Sequence, residues 1–305
     1  MKFRWLGRTV SVFLAGFSFF SPILALSCFA SVVRPATPIP FYLLTTAKAR
    51  KRLVASIPLE SNSEVRNWIA IYTGLERDRF ERFMTRGGVY RGLIHDILVR
   101  EGVPPELFYL AMIESGFSSQ ARSRAAAVGI WQFMRGTARE YGLRSDSEVD
   151  ERLDVIRSTR AAARHLHELK SRLGSWHLAM AAYNAGEGRI RNSIRRGRTR
   201  DYWKLARGGY LPDETAQYVA KFQAARQIAR NPGFYGMRIA PAYEFPRVRQ
   251  ARFSPGVSLF EISRRSGVPL DAIQAMNPHL LQQATPRGGR LKYAVWIPNY
   301  RVSRE

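Results

Sequence analysis

The sequence predicts a mainly α-helical protein, an all-α block followed by a small α+β module. Two observations carry the block. From "NSEVRNWIAIYTGLERDRFERFM", residues 62 to 84, onward to about Gly236, apolar residues return at helical spacing and no convincing strand alternation interrupts them. "NPGFYG", Asn231 to Gly236, ends the last long helix, because Pro232 cannot continue it. The third observation marks the module. A β-prone "ARF", two short helical pieces, "LFEISRRS" and "LDAIQAM", and a β-prone "YAVWIP" give the order βααβ over the last sixty residues.

Taken in order, the chain begins with a basic "MKFRWLGR" and an apolar run, "TVSVFLAGFSFFSPILALSCFA", broken by serines and Pro22. That interruption suits an export signal better than a spanning anchor. Residues 1–30 are therefore expected to be a signal peptide, and the remainder is expected in the periplasm or cell envelope. Cys28, the only cysteine, lies at the end of this run. Cleavage after Ala30 would remove it and leave no disulfide, whereas a lipidated Cys28 would anchor the chain. "ALSC" has Ala and Leu where a lipoprotein signal favours Leu and a small residue, which favours simple cleavage. Residues 31–63 follow as an N-terminal arm or linker, Pro-rich in "SVVRPATPIPFYLLT". The helical domain is expected over 64–240, and 241–305 hold the rest of a linker, "IAPAYEFPRVR", and the βααβ module.

The apolar fraction, 46%, is ordinary for a globular chain. The net charge of +24 allows an anionic partner, and seven of the 48 basic residues are Lys, the rest Arg. Only "RRGRTR", Arg195 to Arg200, is a dense run, and no zinc-finger or RNP pattern occurs, so nucleic acid is not an expected partner. A solvated arginine-rich surface and attraction to an anionic envelope or membrane both fit. No metal or other cofactor is expected: His165 and His167 are two apart on a helix and face different directions, unlike an i, i+4 zinc pair. No phosphate loop or serine nucleophile elbow is present, and the chain is expected to be a monomer.

One charge stands out in the block. "GVPPELFYLAMIESG" opens with Pro104 and Pro105, which suit a first helical turn, and closes at Gly116. Leu107, Leu110, Ala111 and Glu114 share one face, so the Glu114 carboxylate belongs to a buried stripe. Burial should keep it protonated nearer neutral pH than a free Glu, which suits a general acid. From this helix alone, a helix-end Glu paired with an Arg is the competing reading.

The segments that follow are "ARSRAAAVGIWQFMRGTAREYGL", "VDERLDVIRSTRAAARHLHEL", "SWHLAMAAYNAGEGRI" and "DETAQYVAKFQAARQIA". Together, over roughly 64 to 236, they resemble the lytic transglycosylase catalytic domain (the SLT domain), a lysozyme-like fold, and in particular the membrane-bound lytic murein transglycosylase D family. By that resemblance Glu114 in "ESGF" matches the catalytic acid. Ser123, Gly129 and Gln132 in "SRAAAVGIWQ" match a segment that lines the saccharide cleft. Tyr183 and Asn184 in "AYNAG" match the pair beside the acid, where the family's Tyr hydroxyl bonds the carboxyl. Glu214 and Tyr218 in "ETAQYV" match cleft-lining positions on the last helix. The sequence departs from the pattern at Ala126, where Gly is usual, and at Arg135 and Val155, where Pro is usual. These departures concern loop shape rather than chemistry.

The residue types have a bottom-up reading too. Trp176, Ala179, Met180 and Tyr183 share a helical face, so Tyr183 presents a phenol at the end of a buried stripe, where it needs either a carboxyl or a backbone carbonyl as partner. Gln132 could equally be a solvated helix residue. Glu214, in a first helical turn, would favour the helix dipole in any case. Asp150, Glu151 and Asp154 read as structural, capping helices or pairing with Arg.

A glycoside hydrolase usually needs two carboxylates, and only Glu114 has a strong claim here. The resemblance implies how one acid suffices: the N-acetyl group of a muramic acid stabilises the anomeric centre and the sugar's own 6-hydroxyl attacks it. The product is a 1,6-anhydro-muramic end of peptidoglycan, the expected partner, and no water is consumed. Hydrolysis by water, or a non-catalytic scaffold on the same fold, stays open at this level. The tail, Ala251 to Pro298, resembles a degenerate LysM domain, which implies binding to N-acetylglucosamine-containing glycans without a metal. It departs from that family at Val257, where Asp is preferred, and before "WIP", where it is longer. A small packing domain that binds nothing is the alternative.

Overall fold

A computed structural model describes residues 56–241, 244–288 and 291–299. The expected signal peptide, Cys28 and the arm up to residue 55 lie outside the described residues. The order of elements is α1 (Ser63–Thr73), α2 (Arg77–Arg100), a 3₁₀ turn (Pro105–Leu107) running into α3 (Phe108–Ser115), and α4 (Arg135–Glu140). A second 3₁₀ turn (Glu151–Leu153) leads into α5 (Val155–Leu173), α6 (Trp176–Ala185), α7 (Glu187–Gly197), α8 (Tyr202–Arg207) and α9 (Asp213–Arg230). After a third 3₁₀ turn (Pro232–Tyr235) come β1 (Val248–Phe253), α10 (Leu259–Ser266), α11 (Leu270–Met276) and β2 (Tyr293–Pro298). The mainly helical block and the βααβ order match the sequence-based expectation.

Local chemistry explains the boundaries. Asp154 caps α5 by accepting from the Ile156 and Arg157 amides at 2.9 Å each. Ser175 caps α6 through the Leu178 amide at 3.1 Å. Each such cap contributes about 1 kcal/mol. Arg135 and Val155, the two positions where Pro is usual, are the first residues of α4 and α5. At that position an N–H has no intrahelical partner, so Pro is welcome but not required. Ala126 takes φ +63, so the loop keeps a left-handed residue without the Gly that would make it easy. An α-carbon substituent costs about 1 kcal/mol or more in that conformation.

Helix α3 lies within the core of the block, with Phe108, Leu110 and Ala111, and Leu107 of the turn before it, completely buried. It packs against α2 and α9, and α9 in turn packs against α1 and α6. Gly116 ends α3 in the left-handed region at φ +58, its amide donating to the Met112 carbonyl at 2.8 Å, and a Cβ there would run into the Phe83 ring. Glu114, one residue before the end, therefore stands where the packed core opens.

The tail is a two-stranded antiparallel sheet with β1 and β2 paired from Val248 against Pro298 to Phe253 against Tyr293. β1 begins at Val248, ahead of the "ARF" from which it is expected, so the last residues of the expected linker are strand. Packing supplies the reason. Phe245 and Val248 lie against Ile97, Ile156 and Trp296, and the Phe245 amide donates to the Val89 carbonyl at 2.9 Å. Among the described residues no helix is long and apolar enough to cross a membrane.

Candidate active site

The Glu114 side chain, carried by α3, is half-buried and meets α9. The hydroxyl of Tyr218, itself buried, donates to Glu114 Oε1 at 2.5 Å. Loss of water around the carboxyl is the largest influence and pushes it up to about 7. The negative charge of Glu214 adds to this, while the Tyr218 hydrogen bond and the Lys221 ammonium oppose it. An acid so placed holds its proton at neutral pH and can still release it. Helix spacing explains the cluster on α9: Glu214, Tyr218 and Lys221 are four and three residues apart and so share a face.

Tyr183 enters from α6. Its hydroxyl donates to the Trp131 carbonyl at 2.8 Å, so the phenol bonded to the carboxyl is Tyr218, and Tyr183 takes the backbone-carbonyl alternative. Tyr183 remains a neighbour of the acid: burial, and next the Glu114 charge, hold its phenol well above the usual range. The Asn184 amide nitrogen donates to Glu214 Oε1 at 3.3 Å, and its oxygen accepts from Thr215 Oγ1 at 2.7 Å, which fixes both polar groups on one rim.

The loop between α3 and α4 folds back beneath these groups. Val128 and Phe133 exchange backbone hydrogen bonds at 3.1 and 3.0 Å, closing a tight turn that contains Gly129, Trp131 and Gln132. Gly129, at φ +84, is required there because a Cβ would strike the carbonyl oxygen of Arg152. Gln132, also left-handed at φ +50, is in this turn and not in a helix. Its amide nitrogen donates to the Gly129 and Ala121 carbonyls at 2.8 and 3.3 Å. Ser123 closes the preceding turn, its Oγ accepting from the Ala127 amide at 3.0 Å.

The structure thus brings Glu114, Tyr183, Tyr218, Asn184 and Glu214 together, and it gives Ser123 and Gly129 shaping positions in the loop. Sequence reasoning missed Ser115, whose buried Oγ donates to the Ala111 and Ile130 carbonyls at 3.1 and 2.8 Å and so ties the loop to the helix of the acid. Its adjacency to Glu114 was the available signal. Lys221 was missed as well, though it lies one turn from Tyr218. A concavity of about 380 Å³ lined by Leu59, Gln227, Arg230 and Phe234 lies elsewhere, toward the far end of α9 from Tyr218. The acid and tyrosine pair is not in it.

Residues 93–206 match the family model of the transglycosylase SLT domain. Over that stretch the chain is similar to an SLT domain. The match spans Glu114, the loop with Gln132, and Tyr183 with Asn184, while Glu214 and Tyr218 lie beyond it on α9. Over 183 residues, 58% of this chain, the protein is 36% identical to the membrane-bound lytic murein transglycosylase D of Escherichia coli K12, and this covers 40% of that relative. The chain thus matches well under half the length of that protein. It is also 37% identical over 106 residues to the peptidoglycan transglycosylase gp16 of Escherichia phage T7, covering 34% of this chain and 8% of that one. Among solved structures, an inactive variant of the lytic transglycosylase Slt from Pseudomonas aeruginosa aligns at 28% identity with a TM-score of 0.38, over 47% of this chain and 25% of that one.

Proposed function

We propose that the SLT domain is a lytic transglycosylase that cleaves the bond between N-acetylmuramic acid and N-acetylglucosamine in peptidoglycan, with Glu114 as acid and then base. One observation carries the reading: the Glu114 carboxyl is bonded to the Tyr218 hydroxyl and lacks an Arg partner among its described bonds, and burial holds its proton up to about 7. The murein and peptidoglycan transglycosylase names of the relatives support the substrate class.

In this mechanism the Glu114 carboxyl gives its proton to the glycosidic oxygen as the bond from that oxygen to the anomeric carbon breaks. The acetamido oxygen of the muramic acid supports the electron-poor carbon. The 6-hydroxyl of the same sugar then attacks that carbon and passes its proton to the Glu114 carboxylate, which restores the acid. Donor and acceptor belong to one sugar, so a high effective concentration replaces the second protein carboxylate. Asn184 and Glu214 would form a polar rim for the strand. Such a substrate implies action in the cell envelope, in line with the expected export of the chain.

The test is to incubate purified protein with sacculi and read the muropeptides by mass spectrometry, beside Glu114→Gln. Anhydro-ended products from wild type, reduced on the order of 10²–10⁴-fold in the variant, are expected. Reducing-end products would replace this mechanism with hydrolysis, and a wild type that yields none would leave a scaffold.

A further inference from the structure

Beneath the site, the segment from Arg144 to Arg157 is bonded on two sides. On one side it meets the C-terminal module. The Tyr293 hydroxyl donates to Glu151 Oε1 at 2.6 Å, and the indole N–H of Trp296 donates to Asp154 Oδ2 at 2.6 Å. The Arg157 guanidinium donates to the Ala294 carbonyl at 2.8 Å and lies 2.8 Å from Nε2 of the buried His279. Backbone bonds join Asp150 to His279 and Leu281 to Glu148, both at 2.9 Å. Val149 is completely buried within the apolar core of the module itself, beside Leu259, Ile262 and Ile273. The seam leaves a cavity of only about 50 Å³, enough for a water or so and too small for a sugar.

On the other side the same segment grips the loop of the active site. Arg152, 3% exposed, pairs with both oxygens of Asp150 at 2.8 Å. Its remaining NH1 donates to the carbonyl of Ala126, two residues before the turn that holds Gly129, Trp131 and Gln132, and to that of Phe133, which closes it, at 3.1 and 3.2 Å. Its own carbonyl oxygen fills the space that any side chain at Gly129 would need. From that turn the Ile130 carbonyl reaches Ser115 and the Trp131 carbonyl reaches Tyr183.

We infer that the C-terminal module is a fixed brace for the cleft loop, with Arg152 as the positioning residue that passes its hold to the loop. This inference rests on the proposed cleavage only for its kinetic readout. The module then serves substrate alignment from inside the molecule, and its Tyr293 and Trp296 are committed to the SLT domain.

The experiment uses the full chain and the double variant Tyr293→Phe/Trp296→Phe, with Tyr293→Phe alone as the milder change that removes one hydroxyl. Hydrogen exchange read by mass spectrometry over residues 126–133 is expected to quicken about tenfold in the double variant and less in the single one. KM for glycan strands should rise severalfold while kcat changes less. Exchange over 126–133 equal to wild type, with exchange over 279–296 accelerated, would overturn the brace. If the double variant does not fold, the single one decides by the same comparison. A wild type without cleavage products would sink the proposed function and leave the exchange result readable.

Discussion

Glu114 and Asp154 are both acids set at helix ends in the same domain, and their surroundings differ in one respect that matters. Asp154, 2% exposed, accepts from the amides of Ile156 and Arg157, from the Arg157 guanidinium and from the Trp296 indole. A carboxylate offers about four lone-pair positions, and these donors occupy that many. Among the described residues Glu114 accepts a hydrogen bond from Tyr218 alone, which leaves the rest of its oxygen surface open. Burial by itself does not make an acid reactive. What separates the two acids is how many described donors the fold supplies to each.

That contrast can be pressed hardest at Arg152. Replacing it with Met leaves the buried Asp150 with only the more distant Arg122 guanidinium at 3.9 Å, and a loss of about 3 kcal/mol in urea denaturation is expected. A loss below about 1 kcal/mol would mean that the acids of this segment are not structural.

Glu114 should behave in the opposite way. Its folded carboxyl titrates near 7 against an ordinary value of 4.5, so folding holds the proton and ionisation works against the fold. Stability from this group is fully present below about 4.5 and is lost as pH rises to about 7. Glu114→Gln cannot ionise, and at pH 8 it should be more stable than wild type by about 3 kcal/mol, the difference vanishing below pH 4. Equal stability at pH 8 would show the acid to be well solvated.

The smallest effect sharpens the role of the one donor. The Tyr218 hydroxyl favours the ionised acid, so Tyr218→Phe should raise the Glu114 titration further and move the alkaline limb of cleavage up by about one pH unit. A limb that stays in place would show the hydroxyl to be a bystander.

Much of this was legible beforehand, for reasons that can be named. Glu114 follows from the stripe of Leu107, Leu110 and Ala111, because helical period alone decides which face is buried. Asp150, Glu151 and Asp154 were readable as caps and Arg partners, since those bonds are local in the chain. Which phenol reaches the acid was not readable. Tyr183 and Tyr218 each lie on a helix that packs into the core, and the choice depends on how α6 and α9 are set against α3, a property of packing rather than of either helix. The docking of the tail was hidden for the same reason. Tyr293 and Trp296 look like strand residues with an inner and an outer side, and nothing in their spacing says that the outer partner is an acid far upstream.

Val149 carries one more lesson. A residue that belongs by sequence to the transglycosylase part is a piece of the other part's interior. A genetic cut at the compositional border near residue 240 would leave a hole in the tail and a bare valine on the helical domain. Exchange of this tail for another by recombination would therefore have to carry the Arg144–Arg157 segment along, which ties the inheritance of the two pieces together.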